Sequence, residues 1–121
     1  MATVKTNGGT VRMIYMINAG FTTPYIGWGT GAGTSGVTDT TLFTEVAAER
    51  GAATQSIQTT TLTGDTLQEV ATLTSVSGGT YTNAGLFDAS SGQYLWVKGD
   101  FTGVVLASGD KIQFTIQIKQ T

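Results

Sequence analysis

Apolar and polar residues alternate without a break from Lys111 to Lys119. Ile112, Phe114, Ile116 and Ile118 share one side of the chain, and Lys111, Gln113, Thr115, Gln117 and Lys119 the other. This period of two predicts a β-strand with one buried face. Upstream, Leu67 to Thr74 has Leu67, Ala71 and Leu73 in one phase, but Glu69 falls in that same phase. A bulge near Glu69 would bring Val70 onto the apolar side instead. Tyr81 to Phe87 and Tyr94 to Val97 are further strand candidates, joined by Asp88-Ala89-Ser90-Ser91-Gly92, a hairpin-like connection. Gln55 to Leu62 is polar and β-branched, as an exposed or edge strand would be. Tyr25-Ile26-Gly27-Trp28 reads as a short strand, followed by a glycine-rich loop to about Asp39.

Two segments are less regular. Val11 to Ile17 carries Val11, Met13, Tyr15 and Ile17 in one phase and Ile14 and Met16 in the other. Read as a strand, it must be covered on both faces. The cover is either a loop of the same domain or a partner. Leu42 to Glu49 mixes helix formers (alanine, glutamate) with flanking threonines that favour a strand, and it ends at Gly51. Asn7-Gly8-Gly9, Gly64-Asp65, Ser77-Gly78-Gly79 and Ser108-Gly109-Asp110 are turn signals. Short strands at this spacing, with no convincing long helix, predict an all-β antiparallel sandwich or jelly-roll-like domain. It is expected to span residues 11–121 behind a polar arm at 1–10. The expected core anchors are Tyr25, Trp28, Phe87, Trp96, Ile112, Phe114, Ile116 and Ile118.

Composition narrows the function. The 121 residues suffice for one core, and only 12% of them are charged, about half the usual share of roughly 25%. Threonine is the commonest residue. A β-rich surface with so few charges suits assembly into a larger object, whereas freely diffusing proteins carry more charge for solubility. The net charge is −2, and Lys5, Arg12, Arg50, Lys98, Lys111 and Lys119 are scattered singly. Neither nucleic acid nor an anionic membrane surface is therefore expected as a partner. No apolar run is long enough to cross a bilayer, and the first residues lack the apolar stretch of a signal peptide. A soluble, non-exported protein is the expectation.

Little in the chain suggests chemistry. Without histidine or cysteine, the usual general bases, zinc ligands and thiol nucleophiles are missing. Asp88, Asp100 and Asp110 would have to converge to act on a glycoside, but each sits where aspartate caps a turn. No Asp-x-Asp spacing suggests calcium. Gly31-Ala32-Gly33-Thr34-Ser35-Gly36 matches a dinucleotide fingerprint in form only, because Val37-Thr38-Asp39-Thr40-Thr41 does not open a helix. No catalytic residue, cofactor or metal is expected. Tyr15, Tyr25, Trp28, Tyr81, Tyr94 and Trp96 could line a carbohydrate platform, although Trp28 and Trp96 lie in apolar strands where core packing is the usual fate.

Four segments in order carry a resemblance. They are Pro24-Tyr25-Ile26-Gly27-Trp28-Gly29-Thr30-Gly31, then Asp39-Thr40-Thr41-Leu42-Phe43-Thr44-Glu45 with Arg50, then Asn83-Ala84-Gly85-Leu86-Phe87-Asp88-Ala89-Ser90-Ser91-Gly92, and Gly109-Asp110 before the last strand. This order, spanning about residues 24–119, resembles a family of small structural proteins of tailed bacteriophages. Gly27 stands where alanine is more usual in that family, and Asn83-Ala84 where an acidic residue often precedes the glycine. The resemblance implies a non-enzymatic β-sandwich of the virion surface: a capsid decoration (cement) protein on the assembled head. Its partners would be the major capsid protein and further copies of itself, as a trimer or other cyclic oligomer. A tail, collar or fibre component is the alternative within the virion, and a carbohydrate-binding module the alternative outside it. The expected contact surfaces are the N-terminal arm, the strand with Val11, Met13, Tyr15 and Ile17, and the loop with Gly29, Gly31, Gly33 and Gly36.

Overall fold

The computed structural model describes residues 3–92 and 94–120. Seven strands form among them: β1 (Tyr25–Gly29), β2 (Gly51–Ala52), β3 (Thr54–Gln58), β4 (Thr66–Thr74), β5 (Gly79–Phe87), β6 (Leu95–Leu106) and β7 (Lys111–Lys119). They make two antiparallel sheets, ordered β2-β1-β5-β6 and β3-β4-β7. The chain changes sheet at Ala53, again between β4 and β5, and a third time in the β6–β7 turn. The protein is thus an all-β sandwich, with seven strands where a jelly roll has eight.

The strand periodicity translates directly into packing. On β4, Leu67, Ala71 and Leu73 are buried, and they pair with Ile118, Phe114 and Ile112 of β7. These β7 side chains join the core but stay half-buried, because β7 is the outermost strand of its sheet. From the opposite sheet come Ile26, Trp28, Tyr81 and Leu86, all with almost no exposure. The Trp28 and Tyr81 rings stack at 3.9 Å, and Phe114 meets Trp28 edge-on at 6.1 Å. Glu49, in a short 3-10 turn (Ala47–Glu49), is buried beside them. One of its carboxylate oxygens accepts from Trp28 Nε1 (2.8 Å) and the Tyr81 hydroxyl (3.0 Å), and the other from the Val76 amide (2.7 Å).

The expected strand over Val11–Ile17 is instead part of a helix, α1 (Asn7–Gly20). The Thr6 side chain caps it by accepting from the Gly9 amide at 3.1 Å, so Asn7-Gly8-Gly9 opens a helix rather than a turn. Thr10, Ile14 and Ile17, followed by Phe21, recur at helical spacing and face the core. Almost every residue of the run is apolar, so either period fits, and tertiary burial of Ile14 decides for the helix. The boundary drawn at residue 10 falls inside α1. The expected arm is also tied down, because Lys5 donates to Gln120 at 3.0 Å and Thr10 is buried. Residues 1 and 2 lie outside the described residues. Near its start, α1 lies against Gly64 in the β3–β4 turn, and near its end Phe21 meets Trp96 at the start of β6. The helix therefore closes one end of the sandwich, bridging the two sheets.

Trp96 departs from its expected place in the core. It is 52% exposed, held by edge contact with Phe21 at 4.9 Å and by a long hydrogen bond from its Nε1 to Asp88 at 3.4 Å. Its position at the start of an edge strand leaves one ring face in solvent. Tyr25 is half-buried rather than core, and Phe87 is buried under the Arg50 guanidinium, 3.5 Å from its ring centroid. The expected bulge at Glu69 does not occur. Pairing runs through that residue in regular register on both sides, so the carboxyl points into the interior.

Candidate partner interface

The glycine loop was one expected contact surface, and its packing shows what those glycines do. A Cβ at Gly29 would collide with the Phe43 and Thr44 carbonyls, and one at Gly31 would lie 2.6 Å from the Thr44 hydroxyl. A Cβ at Gly33 would meet the Phe43 ring at 2.6 Å. The space beside these three glycines is filled by residues of the same chain. Gly36 alone has open space around it. The loop is further anchored where Asp39 accepts from the Gly36 amide (2.9 Å) and pairs with Lys98 (2.9 Å), and where Asp100 accepts from the Ser35 amide (2.8 Å). These bonds hold both carboxyls below their ordinary pKa: the Gly36 amide acts most strongly on Asp39, and the Ser35 amide on Asp100.

The quoted segments of the resemblance meet in this same region. Arg50 Nη2 donates to Glu45 at 3.0 Å, and Arg50 Nη1 donates to the carbonyls of Ala89 (3.0 Å) and Gly92 (3.1 Å). One guanidinium thus clamps the β5–β6 turn to the loop before β2. Asn83, fully buried, accepts from the Phe43 amide (3.0 Å) and donates to the Phe43 carbonyl (3.1 Å). These residues work on the fold itself.

The α1 surface is different. Val11 is half-buried, while Met13, Tyr15 and Met16 are 43%, 55% and 72% exposed, and Ile17 turns inward. A groove of about 830 Å³ runs between Val11, Arg12, Tyr15, Met16 and Ala19 on the helix and Leu62 and Thr63 in the β3–β4 turn. Beyond Met16 a second hollow of about 220 Å³ continues to Phe21, Asp88 and Trp96. Arg12 is the only charged residue on α1. The helix therefore presents methionine and tyrosine side chains, with Trp96 of β6 beyond them, that stay exposed among the described residues. Methionine adapts to irregular surfaces, and tyrosine and tryptophan are enriched at the centres of interfaces.

Of the residues expected at an interface, the structure brings together Val11, Met13 and Tyr15 on α1 and turns Ile17, Gly29, Gly31 and Gly33 to its own packing. Sequence reasoning missed Ala19 and Leu62 as parts of this surface, included Met16 only within the run Val11–Ile17, and favoured the core for Trp96. The signal was present in the two-faced apolarity of residues 11–17: only one stripe can be buried, and the rest must find another cover.

Asp88 and Asp110 serve their own turns, Asp88 accepting from the Tyr94 amide (3.3 Å) and Asp110 from the Ala107 amide (2.9 Å). Among the described residues no three acidic side chains are grouped to hold a metal. No described helix is long and apolar enough to cross a membrane. Comparison of the chain with protein-family models and with curated proteins finds no match in either.

Proposed function

We propose that this domain is a non-enzymatic structural protein of a tailed-phage virion, seated on the outer surface of the assembled head through the exposed face of α1. The observation that carries this reading is the apolar helix face, whose one charge is Arg12, with its groove, on a sandwich whose loop at Gly29, Gly31 and Gly33 is packed back onto the fold. The order of the four quoted motifs supports the virion assignment. Seated between neighbouring major capsid subunits, each copy would add buried surface across a junction. Stable interfaces bury roughly 800 Å² per partner, and repetition over many sites multiplies the effect against internal pressure. A trimer or other cyclic oligomer would match a symmetry axis of the shell.

Quantitative mass spectrometry of purified virions tests the assignment. Hundreds of copies per particle, released with the head fraction, are expected. A handful of copies confined to the tail would replace the head by a tail, collar or fibre position. Absence from virions would overturn the proposal.

One observation favours a second reading. Trp96 is half exposed, its indole N–H lies near Asp88, and Tyr94 beside it is 74% exposed. An aromatic face next to a carboxylate is the chemistry of a sugar-binding platform. Binding of oligosaccharides detected by a glycan array, and lost in Trp96→Ala, would select this carbohydrate-binding module over the capsid reading.

A further inference from the structure

The alternation of β4 places Glu69 between Leu67 and Ala71 on the face that packs against the other sheet. The side chain has no exposure, and neither carboxyl oxygen has a hydrogen-bond partner among the described residues. Across β7 its neighbour is Ile116, which offers nothing polar. Across β3 its neighbour is Gln55. Gln55 Nε2 donates to the carbonyls of Asn18 (3.0 Å) and Phe21 (2.7 Å) at the C-terminal end of α1, while its Oε1 is buried and unpartnered. Directly paired residues share a face, with Cβ atoms about 5 Å apart. A neutral Glu69 can therefore give Gln55 Oε1 the proton it lacks, and an ionised Glu69 cannot.

Among the described residues no cation compensates the carboxyl. β1, β2, β3 and β5 carry no charged residue. Arg12 of α1 is exposed, Lys111 and Lys119 lie at the exposed ends of β7, and Lys98 of β6 is paired with Asp39. Asp100 of β6 is bonded to Ser35. What faces Gln55 from α1 is the helix C-terminus, the negative end of its dipole. Burial raises the Glu69 pKa from 4.5 to about 7.

We propose that Glu69 and Gln55 form a proton-dependent latch for α1: the neutral carboxyl closes the end of the sandwich, and the ionised one releases the C-terminal turn of the helix. Ionisation removes the donor to Gln55 and sets a full negative charge near the Asn18 and Phe21 carbonyls. Water reaches that charge most cheaply where the cover is weakest. α1 has no acidic residue in its first turn and no basic residue in its last, so its own electrostatics do little to hold it. Its other face is the candidate interface, so release of α1 reshapes that surface as well. The closed state favours the protonated form. Closure is thus complete below the ordinary glutamate range and is lost as pH rises through about 7.

Hydrogen exchange of the full chain from pH 5 to 8, corrected for intrinsic exchange rates, tests the latch. Protection of the α1 amides should fall on the order of a hundredfold with rising pH, while β4 and β5 stay protected. Glu69→Gln, whose amide still donates to Gln55, should keep α1 protected throughout. An equal fall in Glu69→Gln, no fall in the native chain, or an equal loss across α1, β4 and β5 would overturn the proposal. Carbon-13 NMR titration of the Glu69 carboxyl in the native chain needs no variant. Titration near 7 supports the latch, and an ordinary carboxylate value refutes it.

Discussion

Replacing Glu49 by leucine should be among the most damaging single changes in the sandwich. Three donors converge on this buried carboxylate: Trp28 Nε1 at 2.8 Å, the Tyr81 hydroxyl at 3.0 Å and the Val76 amide at 2.7 Å. Leucine fills similar space and accepts nothing. Tyr81 keeps a second partner, the Ser75 hydroxyl at 2.7 Å, so two donors are orphaned rather than three. Each buried unsatisfied group costs about 1–3 kcal/mol, which gives a loss of about 2–6 kcal/mol. Domains of this size are stable by roughly 5–15 kcal/mol, so the variant should sit near the edge of folding. Glu49→Gln separates charge from hydrogen bonding. Its carbonyl can still serve Trp28 and Tyr81, while its amide faces the Val76 N–H and loses that one bond, at about 1–3 kcal/mol. Urea unfolding followed by tryptophan fluorescence gives both values, with an unchanged m-value confirming comparable unfolded states. A leucine variant within about 1 kcal/mol of the native chain would refute the reasoning. So would a glutamine variant that loses as much as leucine.

Other expectations follow from named contacts. Burial acts most strongly on the Asp65 carboxyl and pushes its pKa up, but the amides of Leu62, Thr60 and Thr61 and the Thr66 hydroxyl outweigh it and hold the carboxyl well below its ordinary range. A depressed acid stabilises above its unfolded pKa, so this contribution should start to shrink as pH falls below about 4 and be lost as pH falls through the depressed folded value; Asp65→Ala should lower the unfolding midpoint at neutral pH and flatten the acid limb of the unfolding profile. Gly31→Val should destabilise by about 1–3 kcal/mol in thermal unfolding, because Phe43 and Thr44 already occupy that space; a neutral result would mean that the loop is free to move. Acrylamide should quench the native chain through Trp96 alone, and Trp96→Phe should leave emission from Trp28 that resists quenching; equal quenching in both would contradict the burial assigned to Trp28.

The legibility of the chain varied with how many neighbours each residue needs to explain it. Lys111–Lys119 announced itself because one alternating face suffices to define a strand. Residues 11–17 did not: apolar side chains in both phases fit either period, and only docking of Ile14 between the sheets decides for the helix. Gly29, Gly31 and Gly33 looked like freedom to meet a partner, whereas they are demanded by Phe43 and Thr44, whose approach is a tertiary fact. Trp96 shares its apolar surroundings with Trp28, but strand order puts one in the centre and the other at an edge. Glu69 broke the alternation of its strand, and a bulge was the local remedy. The β3 and β7 ladders instead hold the register through it and bury the carboxyl, a cost that local pattern does not reveal.

The proposal that α1 docks on a phage head can be tested by sedimentation with assembled heads, lacking this protein, of the phage that the proposed reading requires. Tyr15 and Met16 are exposed and hold nothing in the core, so Tyr15→Lys with Met16→Glu should change stability by no more than about 0.5 kcal/mol each. The native chain should pellet with the heads to saturation, and the folded double variant should remain in the supernatant. Equal binding by the variant, or no binding by the native chain, would contradict the account.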